Sequence, residues 1–229
     1  MKLNLNQIQD LYAFTRKHFV EYYDLQTELV DHLANDIEAM WKEEPKLSFE
    51  DAKQKAFKKF GVFGFMEPIE QKAKAMNKRY MKYFWAELKQ WFEIPQIVMT
   101  IGLFTIFYLL FSTVYVNYFS GGIYILIGAW CTYKGIQLNR QFRRRKEHSN
   151  KKWMLEEMIY KQASGVSLVF MSQIFNVFHI SDITIDNTYW LIVISALFTL
   201  LVLINYISFE LIPNKAEELL NETYPEFSL

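Results

Sequence analysis

Hydrophobic positions change their rhythm along this chain. From residue 5 to residue 92 they recur every three or four positions, the period of helices with one buried stripe, and no alternating strand pattern persists. The spacing predicts a first helix over 5–19, with Asn4 and Gln7 placed as a reciprocal cap. A second helix begins after Asp24, read as its N-cap, and carries the stripe Leu25, Leu29, Leu33, Ile37 and Met40. A third is announced by Ser48, Phe49, Glu50 and Asp51. It buries Phe49, Ala52, Ala56 and Phe60, and ends at Gly61, which suits a left-handed cap. A fourth, over 66–92, is basic around an apolar stripe and gains Phe84, Trp85, Trp91 and Phe92 in its later part, a composition suited to a headgroup layer.

Beyond Pro95 the pattern becomes nearly continuous apolar sequence. A bilayer core about 30 Å thick needs roughly 20 apolar helical residues. Four segments approach that length, at 97–119, 121–138, 163–180 and 189–207. The second carries Lys134 near one end, where its stem can snorkel. The third is the most polar, and either spans or lies as a re-entrant or surface helix, which would put the C-terminus outside. The fold class expected is therefore all-α. A small cytoplasmic helical bundle over 1–93 is followed by a four-helix transmembrane domain over 94–212, with a basic cytoplasmic loop at 139–162 and a cytoplasmic tail at 213–229.

Composition agrees: 52% of residues are hydrophobic and 17% aromatic, with zero formal net charge. The distribution of charge carries more than its sum. Residues 1–96 hold 15 of the 25 Lys and Arg, residues 134–161 hold 9, and Lys215 is the last. With four spans all 25 face one side, as the positive-inside rule expects. This implies a multi-pass bacterial inner-membrane protein with both termini cytoplasmic. No signal peptide is expected, because sustained apolar sequence begins only near Ile97. The single cysteine, Cys131, excludes an internal disulfide and a Cys-rich zinc site.

Candidate chemistry is sparse. Glu28, Asp31, His32 and Asp36 cluster on the second helix, and Glu28, His32 and Asp36 follow one another at intervals of four, along one flank. Carboxylates with an imidazole can bind a divalent metal. Ligands from a second element are wanting, and His18 stands alone, so no metal, cofactor or catalytic residue is expected. The four form a partner-docking or pH-sensing surface, with His32 in a structural hydrogen bond. Gly121, Gly128, Thr132 and Gly135 form a small-residue packing seam on the second span. Gln173, Asn176 and His179 on the third span are either interhelical hydrogen-bonding groups or a polar path. Arg143, Arg144, Arg145 and Lys146 follow a span directly. They read as a topology anchor that attracts anionic lipid headgroups, with no nucleic-acid motif beside them.

The order of features over residues 22–80 carries a resemblance. Glu28-Leu29-Val30-Asp31-His32-Leu33, a short polar stretch, Ser48-Phe49-Glu50-Asp51-Ala52 and the ending Lys59-Phe60-Gly61 resemble the HAAS-type signalling domain and the permease-prefix domain of bacterial membrane proteins. The whole chain looks like a bacterial family of four-span membrane proteins with such a front domain. Phe63-Gly64-Phe65 departs from the pattern, where an acidic turn is common. The resemblance implies a cytoplasmic protein-interaction or signalling module joined to a membrane domain, and it carries no catalytic residues. The expectation is thus a non-enzymatic signalling adaptor or accessory subunit that binds a protein partner and can self-associate. The alternative is a small transporter or channel component that uses the polar path.

Overall fold

The computed structural model describes residues 2–113, 115–148, 151–180 and 188–224, with the side chains of 117, 148 and 174–180 left aside. The described residues form helices and connecting turns, with no strand among them. Contacts divide the chain into two compact units, residues Met1–Lys78 with His148–Leu155, and Arg79–Glu147 with Glu156–Leu229. The division thus falls inside the fourth helix rather than near residue 93.

In the first unit, α1 (Leu5–Lys17), α2 (Tyr23–Glu43), α3 (Phe49–Lys58) and the opening turns of α4 (Met66–Gln90) share one core. The expected cap forms at Asn4, whose side chain accepts the Gln7 N–H while the Gln7 side chain accepts the Asn4 N–H, both at 2.9 Å. Leu11, Leu33 and Ile37 are fully buried, with Leu25, Leu29 and Val30 beside them. α3 starts at the Ser48 cap, and Gly61 adopts the left-handed conformation (φ 77°). Gly64 is left-handed too (φ 52°), which lets Phe65 turn inward against Phe57 and Phe60. On α3, Ala52 and Ala56 are buried as expected and Phe49 only partly so, as is Phe60 just past its end, while Lys53 joins the buried face.

Asp24 does not cap its own helix. α2 begins one residue earlier, at Tyr23, and the Asp24 carboxylate accepts the Met154 N–H at 3.4 Å. Met154 opens α7 (Met154–Ile180), so the acid sits where the first amides of that helix need an acceptor. Neighbouring bonds hold the same segment: Tyr23 N–H donates to the Lys152 carbonyl at 2.7 Å, and Lys152 Nζ pairs with Glu21 at 2.7 Å. Trp153 packs edge-on to Tyr23.

The second unit holds the rest of α4, then α5 (Gln96–Phe111), α6 (Val116–His148), the body of α7 and α8 (Thr188–Tyr206). A π-helical turn (Ile207–Leu211) follows, then the short α9 (Ile212–Asn214) and α10 (Ala216–Thr223). Pro213 explains the wide turn, because it has no N–H for the Phe209 carbonyl and its ring crowds that carbonyl. Side-chain pairs fix the directions. Trp91 meets Tyr206 and Phe111 meets Phe198, so α5 and α8 run antiparallel. Phe142 meets Tyr160 and Gly128 meets Met171, so α6 and α7 do too. Cys131 meets Asn205 and Lys134 meets Glu210, so α6 and α8 run parallel. The result is an up-down-up-down four-helix arrangement.

Element boundaries in the apolar half differ from expectation. α5 stops at Phe111 and α6 starts at Val116, so the turn precedes the expected loop at 117–122. Aliphatic and aromatic residues run through 97–119 without a break, and nothing in their polarity marks the turn. Much of the expected basic loop at 139–162 is helical instead, because α6 continues through Arg143, Arg144, Arg145 and Lys146 to His148 and α7 starts at Met154. Arg and Lys are good helix formers. Among the described residues, the continuous helical stretch Thr188–Asn214 is the one long and apolar enough to cross a membrane by length and composition, and Gln96–Phe111 is a shorter apolar helix.

Leu33 is wholly enclosed in the first unit, and Leu33→Ala should cost about 2–5 kcal/mol. Amide hydrogen exchange in α1–α3 of the full chain is expected to accelerate accordingly, with α5 and α8 unchanged.

Candidate functional site

A groove of about 750 Å³ opens on the first unit between α2, the end of α3 and α4. Its floor is apolar: Leu25, Leu29 and Met76 are buried side chains whose edges form the base. Its rims are charged. Glu28 pairs across to Lys72 of α4 at 2.8 Å, and Asp36 pairs with Lys59, beyond the end of α3, at 2.9 Å. Helical spacing of four puts Glu28, His32 and Asp36 in line, and the partners at each end lie on different elements.

His32 sits between the two pairs on the same rim and is exposed. Among the described residues it makes no hydrogen bond or ion pair, so the structural hydrogen bond expected for it is not made. Asp31, one position round the helix, is exposed and outside the groove lining. The four residues therefore do not converge: each of the two carboxylates on the rim turns to its own lysine. Among the described residues no group of three or more His, Cys, Asp or Glu is placed to hold a metal ion.

Lys59, Lys72, Phe60 and Met76 also line the groove, and sequence reasoning did not select them as site residues. Several lysines on α3 and α4 share the same local context, and only the packing angle of the helices picks two. His18 belongs to a different environment. Its Nδ1 lies 2.8 Å from the Phe14 carbonyl, and its ring packs between Phe14 and Phe57 at centroid distances of 4.2 and 4.5 Å.

Beneath the other side of the same unit, Lys53 is a buried cation. Its Nζ donates to Asp10 at 2.5 Å and Glu50 at 2.8 Å, and it lies over the rings of Phe14 and Phe49. Burial alone would lower its pKa, but the bonds to Asp10 and then Glu50 outweigh it and hold it above the usual lysine value.

In the second unit, Gly128 and Gly135 of the expected seam do face α7. A Cβ at Gly128 would meet the Met171 methyl at 3.1 Å, and one at Gly135 the Ser164 hydroxyl at 2.8 Å. Gly121 has no neighbour within 4 Å of such a Cβ and stands outside the seam. Thr132 returns its hydroxyl to the Gly128 carbonyl at 2.8 Å. Gln173 is exposed, and the side chains of Asn176 and His179 lie outside the described residues. Of the basic cluster, Arg145 reaches Glu156 at 2.9 Å and Glu217 at 3.2 Å, while Arg143, Arg144 and Lys146 are exposed. Lys134 does not snorkel away alone; it pairs with Glu210.

The raised pKa of Lys53 fixes a sign. A cation whose folded pKa exceeds its ordinary value of 10.5 contributes its full stabilisation below that value and loses it as pH rises through the folded one. Unfolding of the first unit is expected to show no Lys53-dependent change from neutrality to pH 10. Above 10.5 stability should fall, and Lys53→Met should remove that alkaline limb.

Compared with known protein families, curated proteins and solved structures, this chain finds no match.

Proposed function

We propose that the chain is a non-enzymatic integral membrane protein of the bacterial inner membrane, a signalling adaptor or accessory subunit. Its cytoplasmic N-terminal helical unit docks a protein partner. The observation that carries the reading is the groove on α2–α4: an apolar floor between two rims of opposite charges, the pattern that receives the apolar face of a partner helix. Glu28–Lys72 and Asp36–Lys59 are partly exposed pairs, worth about 0–1 kcal/mol each, so a partner can exchange them at little cost. His32 stands exposed between them on the same rim.

Membrane insertion rests on the second unit. Val98, Met99, Ile101, Leu109, Ile125 and Leu126 all face outward, an apolar surface that water would penalise and lipid would not. Tyr115, Tyr118 and Tyr189 stand exposed at one end of the arrangement, and Trp85, Phe92 and Tyr206 toward the other, as aromatic belts do. The four helices α5–α8 are the four spans of this proposal, with both termini cytoplasmic. α5 alone is about 24 Å long, which calls for local thinning or a tilted neighbour rather than a full-length rod. α4 belongs to both units, so it is the element through which docking would be felt in the membrane.

Two measurements test this. A reporter active only outside the cell, fused after Leu229, should stay silent, while one placed in the 181–187 segment should be active; the reverse pattern overturns the topology. Cross-linking in native membranes and purification in mild detergent should recover a stoichiometric partner or a second copy. Lys59→Glu with Lys72→Glu should release it, and Lys46→Glu, outside the groove lining, should not. A monomer with nothing bound sinks the adaptor reading.

A further inference from the structure

A second cavity lies wholly within the second unit. It has a volume of about 590 Å³ and runs along the α6–α7 seam. On α6 the lining residues step from Gly128 to Asn139, a length of about 16 Å at helical rise, and Phe209 closes the base. On α7 they step from Tyr160 to Met171 in the opposite direction. The slot is graded from end to end. Asn139 and Lys161 stand at one mouth, and Arg143 follows one turn beyond Asn139 on the same face of α6. At the other end only Gly128 and Met171 remain, and Leu168 on the flank is 68% exposed.

One polar group inside it lacks a proper partner. Ser167 is 2% exposed and lines the slot, yet its hydroxyl finds no oxygen or nitrogen acceptor. Its polar neighbour is the Cys131 thiol, whose own hydrogen goes to the Asn205 carbonyl oxygen at 3.0 Å. An unmade hydrogen bond on a buried hydroxyl costs about 1–3 kcal/mol, so a ligand oxygen reaching Ser167 would be favoured.

We propose that this slot holds one anionic glycerophospholipid, its phosphate at Arg143 and Lys161, an ester oxygen toward Ser167, and an acyl chain over Gly135 and Gly128. The proposal rests on the membrane reading above. Lys161 is already paired with Glu157 at 2.6 Å, which offsets one positive charge, and Arg143 makes no ion pair among the described residues. A basic mouth on the cytoplasmic side faces the leaflet where anionic lipids concentrate. The glycines let α6 and α7 approach closely, Gly128 beside the Met171 methyl and Gly135 beside the Ser164 hydroxyl, and the slot runs along the exposed side of that contact past Thr132 and Ile136. A second copy of the same chain is a poorer occupant. Placed in the same orientation across a two-fold axis, it would bring Arg143 against its own equivalent.

The full chain, purified in mild detergent and stripped of lipid, is titrated with phosphatidylglycerol or phosphatidylcholine, and bound lipid is read by native mass spectrometry. Wild type should retain one phosphatidylglycerol and prefer it to phosphatidylcholine. Arg143→Glu and Lys161→Glu, both on exposed side chains, should each weaken phosphatidylglycerol about fivefold, as ~1 kcal/mol per basic group implies, and leave phosphatidylcholine unchanged. Thr132→Phe, which fills the slot, should abolish retention of both. Equal binding of the two lipids, or retention undiminished by all three substitutions, overturns the site. A dimer mass lost in Thr132→Phe overturns it in favour of a second copy. Membranes washed with alkaline carbonate separate the two readings: a chain released into the wash fails as a membrane protein, whereas one retained there without lipid preference fails only the slot.

Discussion

Lys134 on α6 and Glu210 on the π-helical turn that continues α8 are the innermost charges of these two helical stretches, and they pair with each other. Between Glu93 and Lys134 the chain carries no ionisable charge of either sign, and the stretch from Asn187 to Phe209 is equally bare. A single unpaired charge beside so much apolar surface would be expensive, and a pair between parallel helices neutralises both at one level. Beyond that level the charges continue to find each other: Lys215 with Glu87 at 2.6 Å, Arg145 with Glu156 and Glu217. The second unit is thus divided by one physical rule. Where no charge occurs, rings and aliphatic chains hold the helices; where charge resumes, ion pairs do.

The apolar part has its own means of setting register. Phe107, Phe111 and Phe198 interlock α5 with α8, with Leu191, Ile194 and Leu201 around them. Hydroxyls there are satisfied within their own helix: Ser195 bonds the Leu191 carbonyl, and Thr199 bonds that of Ser195. Asn205 does both jobs, donating to the Leu201 carbonyl and accepting from Cys131 on α6. Against this background Ser167 is one of the few buried hydroxyls without an oxygen or nitrogen acceptor, as are Tyr80 and Ser208, and it is the one that lines the slot.

The first unit works by a different balance. Its stability comes from a compact stripe of Leu, Val and Ile together with one buried cation, while its groove is edged by pairs that cost little to break. That combination suits a rigid platform with a replaceable surface. It also explains why Glu28, His32 and Asp36 looked like a constellation: they share a helix flank because they face the groove, where Glu28 and Asp36 each pair with a different lysine.

Local features were legible from the amino-acid order alone. The Asn4–Gln7 and Ser48–Asp51 caps, the Leu25–Ile37 stripe and the left-handed Gly61 each depend on residues within one or two turns, and the spacing of side chains decides them. The all-helical character followed from the same periodicity. What involved distant residues could not be read. Asp24 looks like an N-cap for α2, but its acceptor role is claimed by Met154, 130 positions away. The end of α5 at Phe111 is hidden because apolar residues continue through the turn, and the helical course of Arg143–Lys146 is hidden because basic residues serve loops and helices alike. Which lysines meet Glu28 and Asp36, and which of the glycines on α6 touch α7, were decided only by how the helices cross, because helix packing fixes distances that spacing along one helix does not contain.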